Sequence, residues 1–208
     1  MKKILSILVT FVILLSTTCH KQSCDTTYNF DIPFSIIDRD SFRIGDTIWL
    51  SSQINNQLMD KISNENIEVS NFDFKVNCGM YRMDTIQFDE AEKYFDFINQ
   101  YGKFDVTYSS TINTKVIYQK ETKSRILKIG MIPKKIGIFQ IAFYNLTDDI
   151  TRIKVTQGEC LETLNIFYNM NEGKDFNYYL LKYSLQPLPI STENDYKKDG
   201  AYFFKVIK

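Results

Sequence analysis

Apolar residues in this chain recur at every second position, and that period constrains the fold more than any other feature. Phe72, Phe74, Val76 and Cys78 alternate with Asp73, Lys75 and Asn77. A strand turns successive side chains to opposite faces, so this spacing predicts a strand with Cys78 facing inward. The alternation returns at Val106 and Tyr108, at Ile112, Val116 and Tyr118, and at Leu127, Ile129 and Met131. It continues through Phe139, Ile141 and Phe143, through Leu164, Ile166 and Tyr168, and through Phe204 and Val206. Asp46 to Ser52 reads as a further strand, entered through a turn at Gly45-Asp46. The pattern predicts a mainly β, antiparallel fold.

One segment carries a different period. Ala91, Tyr94, Phe95 and Ile98 fall at i, i+3, i+4 and i+7, which places them on one face of a helix. Asp89 with Glu92 supplies a variant of the capping box, and Gly102 a stop. The spacing therefore predicts one inserted amphipathic helix over about residues 89–101. Asp175 to Tyr183 has the makings of a short helical turn, and residues 55–66 read as a polar loop.

The N-terminus reads as an export signal. Met1, Lys2 and Lys3 precede an apolar run from Ile4 to Leu15, broken only by Ser6 and Thr10. That run has the length of a signal-peptide core and falls short of the ~20 residues a membrane-spanning helix needs. It ends in Leu15-Ser16-Thr17-Thr18-Cys19. Small residues before a cysteine, directly after an apolar run, resemble the lipobox of bacterial lipoproteins. Ser16 and Thr18 stand where the usual pattern has a branched aliphatic and a Gly, Ala or Ser. The resemblance implies cleavage before Cys19, lipid attachment to its thiol, and no Ala-x-Ala site competes. Residues 1–18 are then a signal peptide, 19–27 a polar tether, and 28–208 a single β domain.

Without Lys2 and Lys3 the chain has 23 basic and 25 acidic residues. That balance argues against nucleic acid, which calls for a basic field. Of the four cysteines, Cys19, Cys24, Cys78 and Cys160, the last two belong to the folded part. In an oxidising compartment they are candidates for a disulfide; the other reading makes both small buried hydrophobes.

Two stretches resemble a known family. Phe42-Arg43-Ile44-Gly45-Asp46-Thr47-Ile48-Trp49-Leu50 is similar to the second strand of bacterial immunoglobulin-like domains. Lys135-Ile136-Gly137-Ile138-Phe139-Gln140-Ile141 is similar to a strand late in such domains. With the signal and tether, the chain resembles small surface lipoproteins of the Bacteroidota. The resemblance implies an immunoglobulin-like β-sandwich and a lipid-anchored place in the cell envelope, at the outer membrane. It implies no activity.

Chemistry is sparse. The one histidine, His20, lies beside Cys19, outside any folded site, which removes Ser-His-Asp, Cys-His and histidine-metal arrangements. No phosphate-binding glycine loop is present. No catalytic residue, metal ligand or cofactor is assigned. A carboxylate pair would still serve a glycan hydrolase, and 25 acidic residues make such a pair unremarkable. Residues 115–135 hold seven cations, Lys115, Lys120, Lys123, Arg125, Lys128, Lys134 and Lys135, against Glu121. They form either a solvated face or a site for an anionic glycan or headgroup.

Trp49, the only tryptophan, shares a strand face with Thr47 and Ser51, opposite Ile48 and Leu50. It is a candidate sugar-stacking contact unless another element covers it. Lys123 and Arg125, two residues apart, are expected on one strand face as a separate candidate contact. Tyr178, Tyr179 and Tyr183 form a weaker aromatic cluster. Asp25-Thr26-Thr27, Asp46-Thr47-Ile48 and Asp84-Thr85-Ile86 resemble a short bacterial O-glycosylation signal and equally suit turn-to-strand junctions. The expected function is a non-catalytic envelope binding or scaffolding protein, its partner a glycan or another envelope protein. The alternative is a carboxylate-dependent glycan hydrolase.

Overall fold

The computed structural model describes residues 27–72, 74, 76–86, 92–105, 114–144, 163–173, 177–185, 193–198 and 200–208. The described strands are β1 (Thr27–Ile36), β2 (Ser41–Arg43), β3 (Ile48–Asn55), β4 (Gln57–Met59), β5 (Asn66–Glu68), β6 (Val76–Arg82) and β7 (Phe95–Tyr101). There follow β8 (Lys103–Asp105), β9 (Thr114–Ile117), β10 (Gln119–Lys120), β11 (Ser124–Pro133), β12 (Gly137–Tyr144), β13 (Thr163–Met170) and β14 (Tyr202–Ile207). Helix α1 (Glu193–Lys198) is one turn and a half, and tighter 3₁₀ turns occupy Glu92–Tyr94, Asn171–Gly173 and Tyr178–Tyr183.

Two six-stranded sheets carry the fold. The first has the order β10-β11-β3-β1-β13, with β7 beside the second half of β11. The second has the order β2-β14-β12-β6-β9-β8. Pairing is antiparallel except for β1 with β13 and β2 with β14. The chain is mainly β, as its alternation predicts.

The period explains the burial. In β3, Ile48, Leu50, Ser52 and Ile54 are buried while Trp49, Ser51, Gln53 and Asn55 are not. The inward Ser52 donates to the Pro33 carbonyl at 2.6 Å and shares a hydrogen bond with the Tyr118 hydroxyl at 2.9 Å. Burial without such partners would be costly. Rings from the two sheets meet in the core. Phe34 of β1 stacks on Phe143 of β12, and Phe95 of β7 sits edge-on to Phe139 of β12 and Phe204 of β14. These contacts pack the sheets face to face in two layers.

The expected helix over residues 89–101 is not there. Phe95 to Tyr101 is strand β7, paired antiparallel with β11, and only Glu92–Tyr94 turns. Asp89 and Ala91 lie outside the described residues. β11 is ten residues long and β10 covers only its first part. The remaining edge of β11 offers unpaired backbone groups, and a ladder there outweighs a weak local helical period. Phe95 and Phe97, two apart, carried the competing strand signal. Gly102 is a strand-to-strand turn, not a helix stop. Its φ is +68°, and a side chain there would strike the Ile117 carbonyl.

Two other local expectations change or hold. The polar stretch 55–66 contributes to a small β4–β5 hairpin, not an open loop. The turn before β3 holds as expected: Gly45 has φ +86°, and the Asp46 carboxylate accepts the Arg43 N–H at 2.8 Å.

Candidate binding groove on the first sheet

The outward residues of β3, β11 and β7 line up in rungs. Ser35, Ser51, Lys128 and Tyr101 are consecutive register partners across β1, β3, β11 and β7. Three strand spacings of about 4.8 Å make that rung roughly 14 Å wide. On one side of it lies Trp49–Gly130–Ile98, and on the other Gln53–Ile126–Gln119. Tyr101 and Ile98 are 40% and 42% exposed.

Over this face runs an open groove of about 650 Å³. Ser35, Ser51, Gln53, Tyr101, Ile126 and Lys128 form its floor and one side. Asp38, Asn171 and Glu172 close one end. The Asn171 carboxamide oxygen accepts the Ile36 N–H at 2.9 Å, which ties that end to β1. Asn171 and Glu172 have φ of +48° and +57°, a left-handed pair that non-glycine residues adopt only under constraint.

Trp49 lies on the same outward face, one rung beyond the groove's Ser51–Lys128 pair, and is half-buried. The Lys128 ammonium lies 5.1 Å from the centre of its ring. Gly130 is what lets the indole lie down on the sheet: a Cβ there would stand 3.2 Å from Trp49 Cζ3 and 2.9 Å from Thr47 Cγ2. Trp49 is thus on the outward face, as its alternation predicts, with Thr47, Gly130, Ile98 and Lys128 against it. The exposed aromatic that lines the groove itself is Tyr101. The sequence pattern hides it, because the helical period over residues 89–101 places Tyr101 at a helix end.

The other candidate pair separates. Lys123 is exposed, and it borders a different opening beside Asn55, Asn56, Gln57, Asn66 and Glu68. Arg125 is only 6% exposed and points into the protein. Its guanidinium donates to the carbonyls of Val69, Ser70 and Phe72 at 3.2, 2.6 and 2.6 Å and lies over the Phe74 ring. Arg125 therefore holds the 69–72 segment, at the wall of an opening that Lys115 and Lys120 also line. The shared-face expectation fails because β11 begins at Ser124; Lys123 belongs to the preceding turn, where strand parity does not apply.

Cys78 is a buried free thiol among the described residues, its pKa pushed well up by burial and by the Glu92 charge. Cys160, its expected disulfide partner, lies outside the described residues, as do Cys19, Cys24 and His20. Tyr178 packs on Tyr196 and Phe203, so it belongs to the cover over the second sheet. Tyr179 and Tyr183 remain exposed, Tyr179 bonded to Asp40 and Tyr183 between Lys182 and Lys205. Among the described residues no three His, Cys, Asp or Glu side chains gather closely enough to hold a metal ion. Among them, too, no helix is long and apolar enough to cross a membrane.

No protein-family model and no curated protein matches the chain. Among solved structures it is similar to the crystal structure of the CupB6 tip adhesin from Pseudomonas aeruginosa, at 14% identity and a TM-score of 0.21. The likeness covers 72% of this chain and 42% of that one. At that score it carries no weight for fold or function.

Proposed function

We propose that the chain is a lipid-anchored cell-envelope protein, immunoglobulin-like in build, that binds a ligand on its first sheet without catalysis. The observation that carries this reading is the open groove along the Ser35–Ser51–Lys128–Tyr101 rung. Concave sites with apolar walls and a few convergent polar groups are where ligands bind. The two stacked, mainly antiparallel sheets support the immunoglobulin-like part. The signal-like N-terminus and Cys19 support a lipid anchor at the outer membrane.

Geometry suits such an anchor. The tether would join β1 at Thr27, and Ser35 lies eight residues further along the strand. At ~3.3 Å per residue the groove is roughly 26 Å from the tethered end. An anchored molecule would hold this face clear of the headgroups, open to a glycan or an envelope protein.

The hydrolase reading has one observation in its favour: two carboxylates, Asp38 and Glu172, border the groove. A general acid in such an enzyme needs its pKa raised by an apolar pocket. Both residues are exposed, which supports binding over hydrolysis. Incubating the protein with a glycan panel separates the two. Turnover abolished by Glu172→Gln or Asp38→Asn would overturn the binding reading. For the anchor, Cys19→Ala is expected to release the protein from membranes and remove palmitate labelling; label that persists would move the attachment to Cys24.

A further inference from the structure

Resting on that binding reading, we propose that the groove selects neutral, polyhydroxylated glycan over charged polymer. The cation-rich stretch 115–135 suggests an anionic partner, but the fold places most of it away from this groove: Lys115, Lys120 and Arg125 border a separate opening of about 350 Å³. Arg125 is turned into the core against three carbonyls. Lys123 borders a separate opening. Lys134 is paired with Asp96 at 2.7 Å, and Lys135 lies over the Tyr94 ring. Of the seven cations only Lys128 lines the groove, and two carboxylates, Asp38 and Glu172, line it as well. Among the described residues, a polyanion entering this groove would find more negative charge than positive.

The remaining lining fits a sugar. Tyr101 and Ile126 give apolar surface for the C–H faces of pyranose rings, and Trp49 and Ile98 extend that face one rung beyond the groove. Ser35, Ser51, Gln53 and Asn171 supply hydroxyls and amides that both donate and accept. Carboxylates are the strongest acceptors for sugar hydroxyls, and a charge-assisted bond is shorter and stronger than a neutral one. Glu172 is held for this at the groove end by the left-handed turn that Asn171 ties to Ile36. A fatty ligand would leave these polar groups unpaired. A neutral glycan satisfies them.

The test uses the full-length protein in detergent. Neutral gluco- and manno-oligosaccharides and an oligogalacturonate of equal length are titrated by calorimetry, with Trp49 emission as a second readout. Neutral oligosaccharide is expected to bind at least tenfold more tightly than the uronate. Tyr101→Ala and Glu172→Gln should each weaken it at least fivefold with unchanged melting, and Lys123→Ala should leave it unaltered. The double variant Asp38→Asn, Glu172→Gln should narrow the gap between neutral and charged ligands. Tighter binding of the uronate, still weakened by Tyr101→Ala, would overturn the selectivity and leave the groove standing. Binding of neither, or binding indifferent to Tyr101→Ala and Glu172→Gln, would overturn the groove reading as well.

Discussion

The two sheets present outer faces of opposite kinds. On the second sheet, Phe203 of β14 points outward yet is fully buried, because Tyr178 and Tyr196 close over it from the 3₁₀ turn and from α1. The Asn177 carboxamide fastens that cover to the Phe203 carbonyl at 2.9 Å. On the first sheet, the outward rung of Ser35, Ser51, Lys128 and Tyr101 borders the groove, and no such cover lies over it among the described residues. The two layers share one core but differ in what their backs are for. An aromatic outer face needs a lid to stabilise the fold, whereas a mixed polar and aromatic face is stable in water and can bind.

The largest effects should fall on the covered side. Phe203→Ala removes a ring packed from both sides and is expected to cost about 3–5 kcal/mol in urea unfolding. Tyr101→Ala should cost under about 1 kcal/mol, as an exposed position does. Equal losses would erase the contrast between the faces.

Arg125→Ala comes next. It strips charged donors from three carbonyls, one of them on the buried Val69 and one on the buried Phe72, and should cost about 2–3 kcal/mol. Arg125→Lys should not restore it, because one ammonium cannot reproduce the guanidinium geometry. A ligand-binding loss with unchanged stability would return Arg125 to the open face.

Trp49 grades the boundary between the two kinds of surface. Half-buried, it should lose about 1–2 kcal/mol as Trp49→Ala, below the cost of a core ring. A loss as large as that of Phe203→Ala would make it part of the core and remove it from the open face. Gly130→Ala should cost less still, yet shift the emission of Trp49, since the new Cβ meets both the indole and Thr47. An unchanged spectrum would mean the indole does not rest on Gly130.

Acid should reach both faces through one carboxylate each. Backbone N–H donors, first Asn29 and then Ser63, hold Asp60 below its ordinary value of 3.8. Tyr179, the main cause, and Ser41 hold Asp40 below the same value. A carboxyl whose pKa is lowered by folding stabilises the fold above its unfolded value, and that contribution fades as pH falls through the folded value. Stability should therefore drop on the acid side of 3.8. Asp60→Asn should flatten that limb more than Asp40→Asn, since Asp60 is buried beneath β1 and Asp40 is exposed. Identical acid limbs in the two variants would contradict this ranking.

Much of the local structure was legible in the residues. The alternation in β3, β11 and β12 placed Ile48, Leu50, Leu127, Ile129, Phe139 and Ile141 inside, and all are buried. It placed Trp49 outward, and Gly45-Asp46 forms the turn into β3. What misled was a short window with two periods. Residues 91–98 satisfy a helical count through Ala91, Tyr94, Phe95 and Ile98, and a strand count through Phe95 and Phe97. Local pattern does not settle eight residues; an open edge on β11 does.

The sequence by itself determined that this chain is built of strands, which side chains most strands bury, and that Trp49 faces away from the core. Those are properties of one strand at a time, set by the two-residue period of the extended backbone. Tertiary structure decided what depends on neighbours: β11 lies between β3 and β7, so Ser51, Lys128 and Tyr101, distant in the chain, share one rung. It also decided that Arg125 holds the backbone of residues 69–72 and lies apart from Lys123. Register and sheet order are set by long-range hydrogen bonds, and no local count of residues contains them.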